Sequence, residues 1–276
     1  MKSKETLNSS STLNWARVDL RRMILSQRSE GYGKGVIVKK NCGFTLVELL
    51  VVISIIALLM AILVPSLSRA REQAKKVVCL SHVKQWGVIW YLYTQDHNGF
   101  FNEGWGGEGM ARWYDALEGY YKDPQILCCP KVAAEKGAWF GIGSYGINGW
   151  CYNPKPGIKD IGLGVGPTSK NWRTVHVKNA AYVPMFQDAA YPEAWPNDTD
   201  KPREYYDVPS SAWGWLGHHI CIDRHILSVN VAFLDFSARS VGLKGLWKLK
   251  WNKDFDIDGG PLPGEWPDWM KNAKGD

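Results

Sequence analysis

An apolar run from Phe44 to Val64 constrains this chain more than any other feature. Glu48 is the one charged residue within the run. A helix needs about 20 mainly apolar residues to cross a bilayer, and this run is long enough. Because an ionisable side chain inside such a segment costs free energy, its presence points to a function. The run therefore predicts a transmembrane helix over residues 44–64 with a functional carboxylate near its start.

The charge distribution places the positive excess directly before this run. The chain has 276 residues and a formal net charge of +6. Residues 1–43 hold nine Lys or Arg and three Asp or Glu, so they carry the whole excess. Lys and Arg favour the cytoplasmic side of a membrane segment, and we interpret residues 1–43 as a cytoplasmic leader. Since the rest of the chain has no net charge, we exclude nucleic acid as a partner.

The helix is expected to continue beyond the membrane, so that it covers residues 44–97. Pro65 is expected to kink it where the apolar run ends. Over residues 66–97, large apolar residues recur at three- and four-residue spacing, which is typical of an amphipathic helix: Val83, Trp86, Trp90 and Tyr93. Asp96 to Gly99 then supplies a helix stop.

Residues 98–276 are rich in Gly, Pro, Trp and Tyr and predict a globular domain with long, aromatic-rich loops. We expect a short helix over residues 113–121. Candidate strands are residues 144–148, 182–187, 229–235, 238–241 and 246–251, with a hairpin between the third and the fourth. The predicted fold class is α+β, in which the second half of a long N-terminal transmembrane helix packs on a small antiparallel sheet.

The start of the apolar run resembles the prepilin signature of type IV pilins and of the pseudopilins of type II secretion. The resemblance is carried by Gly43-Phe44-Thr45-Leu46-Val47-Glu48, with Lys39-Lys40 before it and Pro65 after the run. It implies that a prepilin peptidase cuts between Gly43 and Phe44, and that the new amine of Phe44 is methylated. It also implies that Glu48 pairs with the Phe44 amine of a neighbouring subunit and sets the register in a filament.

The resemblance implies a pilin-like structural subunit and not an enzyme. Such a subunit is stored in the bacterial inner membrane as a single-pass protein, with its globular domain in the periplasm. It then joins a type II secretion pseudopilus or a related type IV pilus. The expected partners are the prepilin peptidase, copies of itself, other pilin-like subunits and the inner-membrane assembly platform.

A second resemblance covers residues 77–241 and is to the large pilin-like proteins of planctomycete and lentisphaera-type bacteria. It is carried by Cys79 to Gln85, Cys129-Pro130, Ser144 to Asn148, and His225 with Asp235 ten residues later. Those proteins commonly have Gly after the Asp, whereas this chain has Phe236. A turn that needs Gly is therefore expected to be rebuilt around Phe236.

The cysteines suggest disulfides without fixing their connectivity. Six are present: Cys42, Cys79, Cys128, Cys129, Cys151 and Cys221. The second resemblance implies a bridge between Cys79 and Cys129, which would contribute about 2–4 kcal/mol. Cys128 is an equal alternative, and Cys151 with Cys221 is a further possible pair. Because no C-x-x-C pair is present, a zinc ribbon is not expected.

An acidic segment near the C-terminus, residues 254–265, has the spacing of a calcium loop. Asp254, Asp256, Asp258 and Glu265 supply the carboxylates, and Gly259 stands at the sharp turn. Pro261 and Pro263 lie inside the loop, and neither flank predicts a clear helix. The alternative is a solvated acidic turn. Some secretion pseudopilins bind calcium near the C-terminus, so calcium is a candidate cofactor by analogy.

Two other functional classes are left open. One is an adhesion or polysaccharide-binding protein that uses a pilin-type anchor and stacks sugars on tryptophans in its loops: Trp105, Trp139, Trp195, Trp213, Trp215, Trp266 and Trp269. We favour core packing for these side chains. The other class is a membrane-tethered enzyme, for which the candidates are His225, Asp235 and the pair His218-His219.

The same histidines also raise the question of a zinc cluster with Cys221. His218, His219, Cys221 and His225 lack the usual spacing of four zinc ligands, so we expect loop histidines beside a half-buried thiol. For Asp235 we expect a turn-capping role, and for His225 a hydrogen bond to backbone.

Overall fold

The computed structural model describes residues 44–104, 112–132, 144–161, 165–204 and 215–275. Its longest element is helix α1, Leu46–Asp96. The helix begins near the start of the apolar run and ends at Asp96, as predicted, and Pro65 lies inside it. By contacts between residues the chain divides into two units, Met1–Ile55 and Ile56–Asp276.

In the first unit, the described residues are 44–55, and all of them are exposed to solvent. In the second unit, α1 remains exposed through Arg71 and has a buried face from Cys79 onward. That face includes Val83, Trp86, Trp90 and Tyr93, so the predicted amphipathic pattern is confirmed.

A five-stranded sheet forms the centre of the second unit. Its strands are β1 (Tyr145–Asn148), β2 (Pro184–Asp188), β3 (Glu193–Ala194), β4 (Ser228–Phe233) and β5 (Ala238–Gly242), in the order β3-β1-β2-β4-β5. The pairs β1–β2, β2–β4 and β4–β5 are antiparallel. The pair β1–β3 is parallel, so the sheet is mixed and not purely antiparallel.

Short helical segments connect these elements. Helix α2, Trp113–Leu117, continues into a 3₁₀ turn over Glu118–Tyr120, which confirms the short helix predicted there. Other 3₁₀ turns are Pro124–Leu127, Gly149–Cys151, Thr168–Lys170, Ala180–Tyr182, Leu243–Lys248 and Asp268–Met270, and a π turn covers Trp215–Ile220.

The prediction of a strand over residues 246–251 was wrong. Most of that segment belongs to the 3₁₀ turn Leu243–Lys248, in which Leu246 and Trp247 are buried. Short apolar runs do not distinguish a strand from a buried helical turn, and here packing decides. Strand β3, which is two residues long, was not predicted, because its pairing depends on β1 and not on a local pattern.

The core of the second unit has two parts, one on each face of the sheet. Strand β4 contributes Ala232 to the part that contains the α1 residues Trp86 and Trp90. It contributes Val229, Val231 and Phe233 to the other part, which also contains Trp247 and Trp251. Because side chains alternate along a strand, β4 supplies both faces. Core packing thus accounts for these described tryptophans.

Candidate functional site

The N-terminal end of α1 is built by a reciprocal set of hydrogen bonds between Thr45 and Glu48. The backbone N–H and the hydroxyl of Thr45 each donate to Glu48 Oε2 at 2.8 Å. The Glu48 N–H donates to Thr45 Oγ1 at 3.2 Å. This is a capping box, which satisfies N–H groups that the first turn of a helix leaves without partners.

The capping box gives Glu48 a role that was missed in the sequence. The signal was present, since Thr45-x-x-Glu48 directly before an apolar run is the pattern of a capping box. The predicted contact between Glu48 and the Phe44 amine of another subunit stays a prediction. Glu48 is solvent exposed in the single chain, so its carboxylate is accessible to such a partner. Gly43 lies outside the described residues.

The apolar run presents its side chains to solvent around the whole helix. Phe44 is 69% exposed and Leu46 is 86% exposed, and every large apolar residue between them and Val64 is exposed as well. By length and composition, α1 is the one described helix that qualifies as a membrane span. An apolar surface of this extent requires a cover of lipid or protein.

Comparisons with known proteins agree with this geometry. Residues 38–64 match the family model of the prokaryotic N-terminal methylation motif. This chain carries a prepilin-type N-terminal segment. It is also 41% identical over 58 residues to the type IV wide pilus major component PilA4 of Thermus thermophilus. The match covers 21% of this chain and 44% of that protein, so the chain spans less than half of the relative's length. No solved structure matches.

Beyond the prepilin-type segment, three carboxylates of the acidic loop, those of Asp256, Asp258 and Glu265, have local partners. Asp256 Oδ1 accepts from the N–H of Asp258 at 2.9 Å, and Glu265 Oε2 accepts from the N–H of Leu262 at 2.7 Å. Asp258 pairs with Lys248 at 3.4 Å. Among described residues, the acids of this loop are not a group whose ligand atoms converge. Calcium binding here stays a prediction that requires these side chains to reorient.

The two cysteines of the predicted bridge do meet. Cys79 on α1 and Cys129 after the turn Pro124–Leu127 are both buried, and their sulfur atoms lie within 4.8 Å of each other. Both thiols are free in the structure, as are Cys128, Cys151 and Cys221. The bridge between Cys79 and Cys129 stays a prediction. Cys151 and Cys221 belong to different parts of the core, which gives their pairing no support.

His225 joins these cysteines, together with a residue that was not predicted, Asp188 at the end of β2. His225 Nε2 lies 3.3 Å from Cys129 Sγ and 3.5 Å from Asp188 Oδ2. The Cys79 thiol donates to Asp188 Oδ1 at 3.0 Å. We call these four residues the buried quartet: Cys79, Cys129, Asp188 and His225. We expected His225 to bond to backbone, and the structure places its Nε2 against the side chains of Cys129 and Asp188.

Burial and hydrogen bonding pull the pKa values of the buried quartet in opposite directions. Burial opposes the charged form of His225, but hydrogen bonds with Asp188 and Cys129 outweigh it and raise its pKa to about 9. Hydrogen bonds with Cys79 and His225 lower the pKa of the Cys129 thiol, against the effect of burial. Burial raises the pKa of the Cys79 thiol. Cys129 is therefore the thiol that ionises first.

Asp188 had one signal in the sequence. It directly follows the strand predicted over residues 182–187 and precedes Ala189 and Ala190, so an acid stands in apolar surroundings, where it can be buried only if it is paired. Its partners come from elements that lie far apart in sequence. Arg224 lies 3.6 Å from Asp188 Oδ1, and the N–H of Asn230 donates to Oδ2 at 2.8 Å. No local pattern could have assembled them.

Asp235, the other residue of the family loop, does not join the buried quartet. Its Oδ1 accepts from the N–H and the hydroxyl of Ser237, at 2.9 and 2.6 Å, so the expected turn-capping role is confirmed. Phe236 has φ 63°, the left-handed conformation that favours glycine. The turn is therefore not rebuilt. The Phe236 carbonyl accepts from Lys84 Nζ at 2.7 Å, and its ring contacts Tyr91, so α1 holds this conformation.

The other two candidate histidines, His218 and His219, are separate from the buried quartet. His218 and His219 lie in the π turn Trp215–Ile220, and the His219 ring packs near Trp215 and Tyr191. Burial and the nearby Arg203 lower the pKa of His219 to about 4. His225 belongs to the other group, so the arrangement His218, His219, Cys221 and His225 does not form a site among the described residues.

The described loop tryptophans pack into or against the core, which is the interpretation that we favoured from the sequence. Trp195 is buried, and Trp215, Trp266 and Trp269 are partly buried against the core. Trp105, Trp139 and Trp213 lie outside the described residues. The described members therefore offer no row of exposed rings on which a sugar could stack.

Proposed function

We propose that this protein is a pilin-like structural subunit that a prepilin peptidase processes and that assembles into a filament. One observation carries the proposal: the methylation motif, residues 38–64, includes the first part of α1, and the large apolar side chains from Phe44 to Val64 are all exposed. In a membrane, lipid covers this surface. In a filament, the same surfaces of neighbouring subunits cover one another, so one segment serves storage and assembly.

Removal of the leader converts the membrane-stored protein into a subunit that can assemble. The cut between Gly43 and Phe44 removes a leader that carries a charge of +6 and leaves one amine at the start of the apolar helix. Glu48 then supplies the opposite charge one helical turn further on. In the proposed filament, the amine of one subunit meets the Glu48 carboxylate of the next, which offsets the cost of burying either charge alone.

The proposed setting is the inner membrane of a bacterium, with residues 98–276 in the periplasm. Lys39 and Lys40 precede the span and favour a cytoplasmic N-terminus, which places the following domain outside. A pseudopilus of type II secretion and a related type IV pilus are both compatible with these features. The proposed partners are the prepilin peptidase, copies of this chain, other pilin-like subunits and the assembly platform.

The test is the mass of the mature protein from cells that contain a prepilin peptidase. We expect a chain that begins at Phe44 and carries one methyl group on its amine. Gly43→Val should leave the leader attached, because a branched side chain obstructs the peptidase at the scissile bond. Gly35→Val, at another leader glycine, should be processed normally. Recovery of the native protein with its leader intact, and never in a polymer, would refute the proposal.

A further inference from the structure

We propose that the buried quartet is a structural zinc site. Cys79, Cys129, Asp188 and His225 are the one group of described residues in which several metal-ligating side chains converge, with all four ligand atoms within 4.8 Å of one another. This inference rests on the quartet alone and stands whether or not the chain forms filaments.

The spacing of the four atoms fits a tetrahedral ion. With zinc bonds of about 2.0–2.3 Å to N, O and S, tetrahedral geometry separates neighbouring ligand atoms by about 3.3–3.8 Å. The measured separations are 3.0 Å from Cys79 Sγ to Asp188 Oδ1, 3.3 Å from Cys129 Sγ to His225 Nε2, and 3.5 Å from His225 Nε2 to Asp188 Oδ2. The two oxygens of Asp188 face different ligands, and all four ligand atoms lie within 4.8 Å of one another. An ion therefore fits among them once the side chains shift by up to about an ångström toward tetrahedral spacing.

The chemistry of the ligands selects the ion. Thiolate and imidazole are soft or borderline donors that suit zinc, whereas calcium and magnesium prefer a shell of oxygen atoms. Two sulfurs, one nitrogen and one carboxylate oxygen complete a four-coordinate shell. Since no position is left for water or substrate, the site is of the closed, structural type.

Surrounding groups orient the ligands, as is usual around a metal. The hydroxyl of Tyr145 donates to Cys79 Sγ at 3.3 Å. Asp188 is held by Arg224 and by the N–H of Asn230. Arg224 in turn donates to the carbonyls of Ser144 and Ala189, which fixes its position.

The charges also balance. Zinc carries +2, two thiolates and one carboxylate carry −3, and a neutral imidazole adds nothing. The guanidinium of Arg224, 3.6 Å from Asp188, brings the sum to zero. A neutral assembly is what a buried site needs, because an uncompensated buried charge is strongly destabilising.

The site would join four segments that are distant in sequence. Cys79 comes from α1, Cys129 from the loop before β1, Asp188 from the end of β2, and His225 from the segment before β4. Within the second unit, one ion thus connects the helix to the sheet at the level where α1 begins to be buried. This is the connection that a Cys79–Cys129 disulfide would otherwise supply, and the two states exclude each other.

The experiment measures zinc in the full-length protein, purified in detergent with a non-chelating phosphine reductant. We expect one zinc per chain by elemental analysis. Cys129→Ser and His225→Gln should bind zinc at least 10-fold more weakly. Cys128→Ser, at the neighbouring half-buried cysteine outside the quartet, should retain one zinc. Cobalt in place of zinc should give thiolate-to-metal charge-transfer absorption in the wild type and in Cys128→Ser, at a cobalt concentration that leaves Cys129→Ser and His225→Gln largely unloaded.

Thiol labelling of the wild type keeps the test valid if a ligand variant fails to fold. A chelator should expose Cys79 and Cys129 to an alkylating reagent, and added zinc should protect them again. Cys151 and Cys221 are buried outside the quartet, so zinc should change their labelling little. The proposal is overturned if the reduced protein binds no zinc, if labelling of Cys79 and Cys129 ignores zinc, or if native protein holds a Cys79–Cys129 disulfide and no metal.

Discussion

At the residue scale, Glu48 combines two roles that can be separated by substitution. Within the chain its carboxylate closes the capping box with Thr45. In a filament its charge is proposed to pair with the Phe44 amine of another subunit. A glutamine in this position retains the hydrogen bonds of the capping box and removes the charge.

We therefore expect Glu48→Gln and Glu48→Val to be processed by the peptidase and to assemble poorly. Filament yield measured by shearing and immunoblotting should fall at least 10-fold for both variants, with the mature mass shifted by the substitution alone. If Glu48→Gln assembles like the wild type, capping and not charge explains the role of this residue. Glu72→Gln, which removes an acid from α1 outside the apolar run, is the matched control.

The lowered pKa of His219 predicts that the free energy of unfolding depends on pH. Its pKa is lowered from 6.5 to about 4 in the folded chain, so between these values the unfolded chain binds more protons. The stabilising contribution is complete above pH 6.5 and is lost as the pH falls toward 4. At pH 5 the cost is about 2 kcal/mol relative to pH 7.

His219→Phe retains an aromatic ring near Trp215 and Tyr191 and cannot bind a proton. We expect its free energy of unfolding, from urea titrations in detergent, to fall less between pH 7 and pH 5 than that of the wild type. His176→Phe, at an exposed histidine, should behave like the wild type. An equal loss in His219→Phe and wild type would assign the pH dependence to other groups.

At the scale of elements, the contact between α1 and the sheet depends on Trp86. Its ring is fully buried and packs against Trp113, Tyr121 and Phe186. Its indole N–H donates to the carbonyl of Ile126 at 2.8 Å. The side chain thus joins the helix, the sheet and the loop before β1.

Trp86→Ala should lower the free energy of unfolding by about 3–5 kcal/mol, because it removes a large buried side chain and leaves a cavity. Leu92→Ala, on the half-exposed face of the same helix, should cost less than about 1 kcal/mol. Chemical denaturation followed by tryptophan fluorescence and by circular dichroism would measure both. Similar losses in the two variants would contradict the assigned packing.

At the scale of the whole molecule, exposed and buried large apolar side chains lie in different parts of the sequence. The exposed large apolar residues are concentrated between Phe44 and Leu67, whereas the core is formed by residues from Cys79 onward. The apolar run thus contributes nothing to the core of the second unit. Its removal should change solubility without removing core contacts.

A chain that starts at Ser66 should therefore be soluble and folded without detergent, whereas the full-length chain should need detergent. Size-exclusion chromatography would measure its dispersity, and near-ultraviolet circular dichroism would report the packing of its aromatic core. An aggregated or unfolded fragment would show that the apolar run also supports the second unit.

What could be predicted from the sequence followed from local chemistry. The apolar run, the amphipathic face of α1, the helix at Trp113 and the β4–β5 hairpin each have a pattern within a few residues. Where a short apolar run suits a strand and a buried helical turn equally well, as at Leu246 and Trp247, the prediction was wrong. The capping box at Thr45 is local as well, because Thr45 and Glu48 stand three residues apart.

The sequence by itself determined that this chain has a prepilin-type apolar helix, because hydropathy, the flanking charge and the motif all lie within residues 38–64. Only the tertiary structure decided where His225 points, how Phe236 keeps a left-handed turn, and that Asp188 completes the buried quartet. Those contacts join segments separated by tens of residues. They are set by how the helix and strands pack together, and no periodicity in the sequence encodes that packing directly.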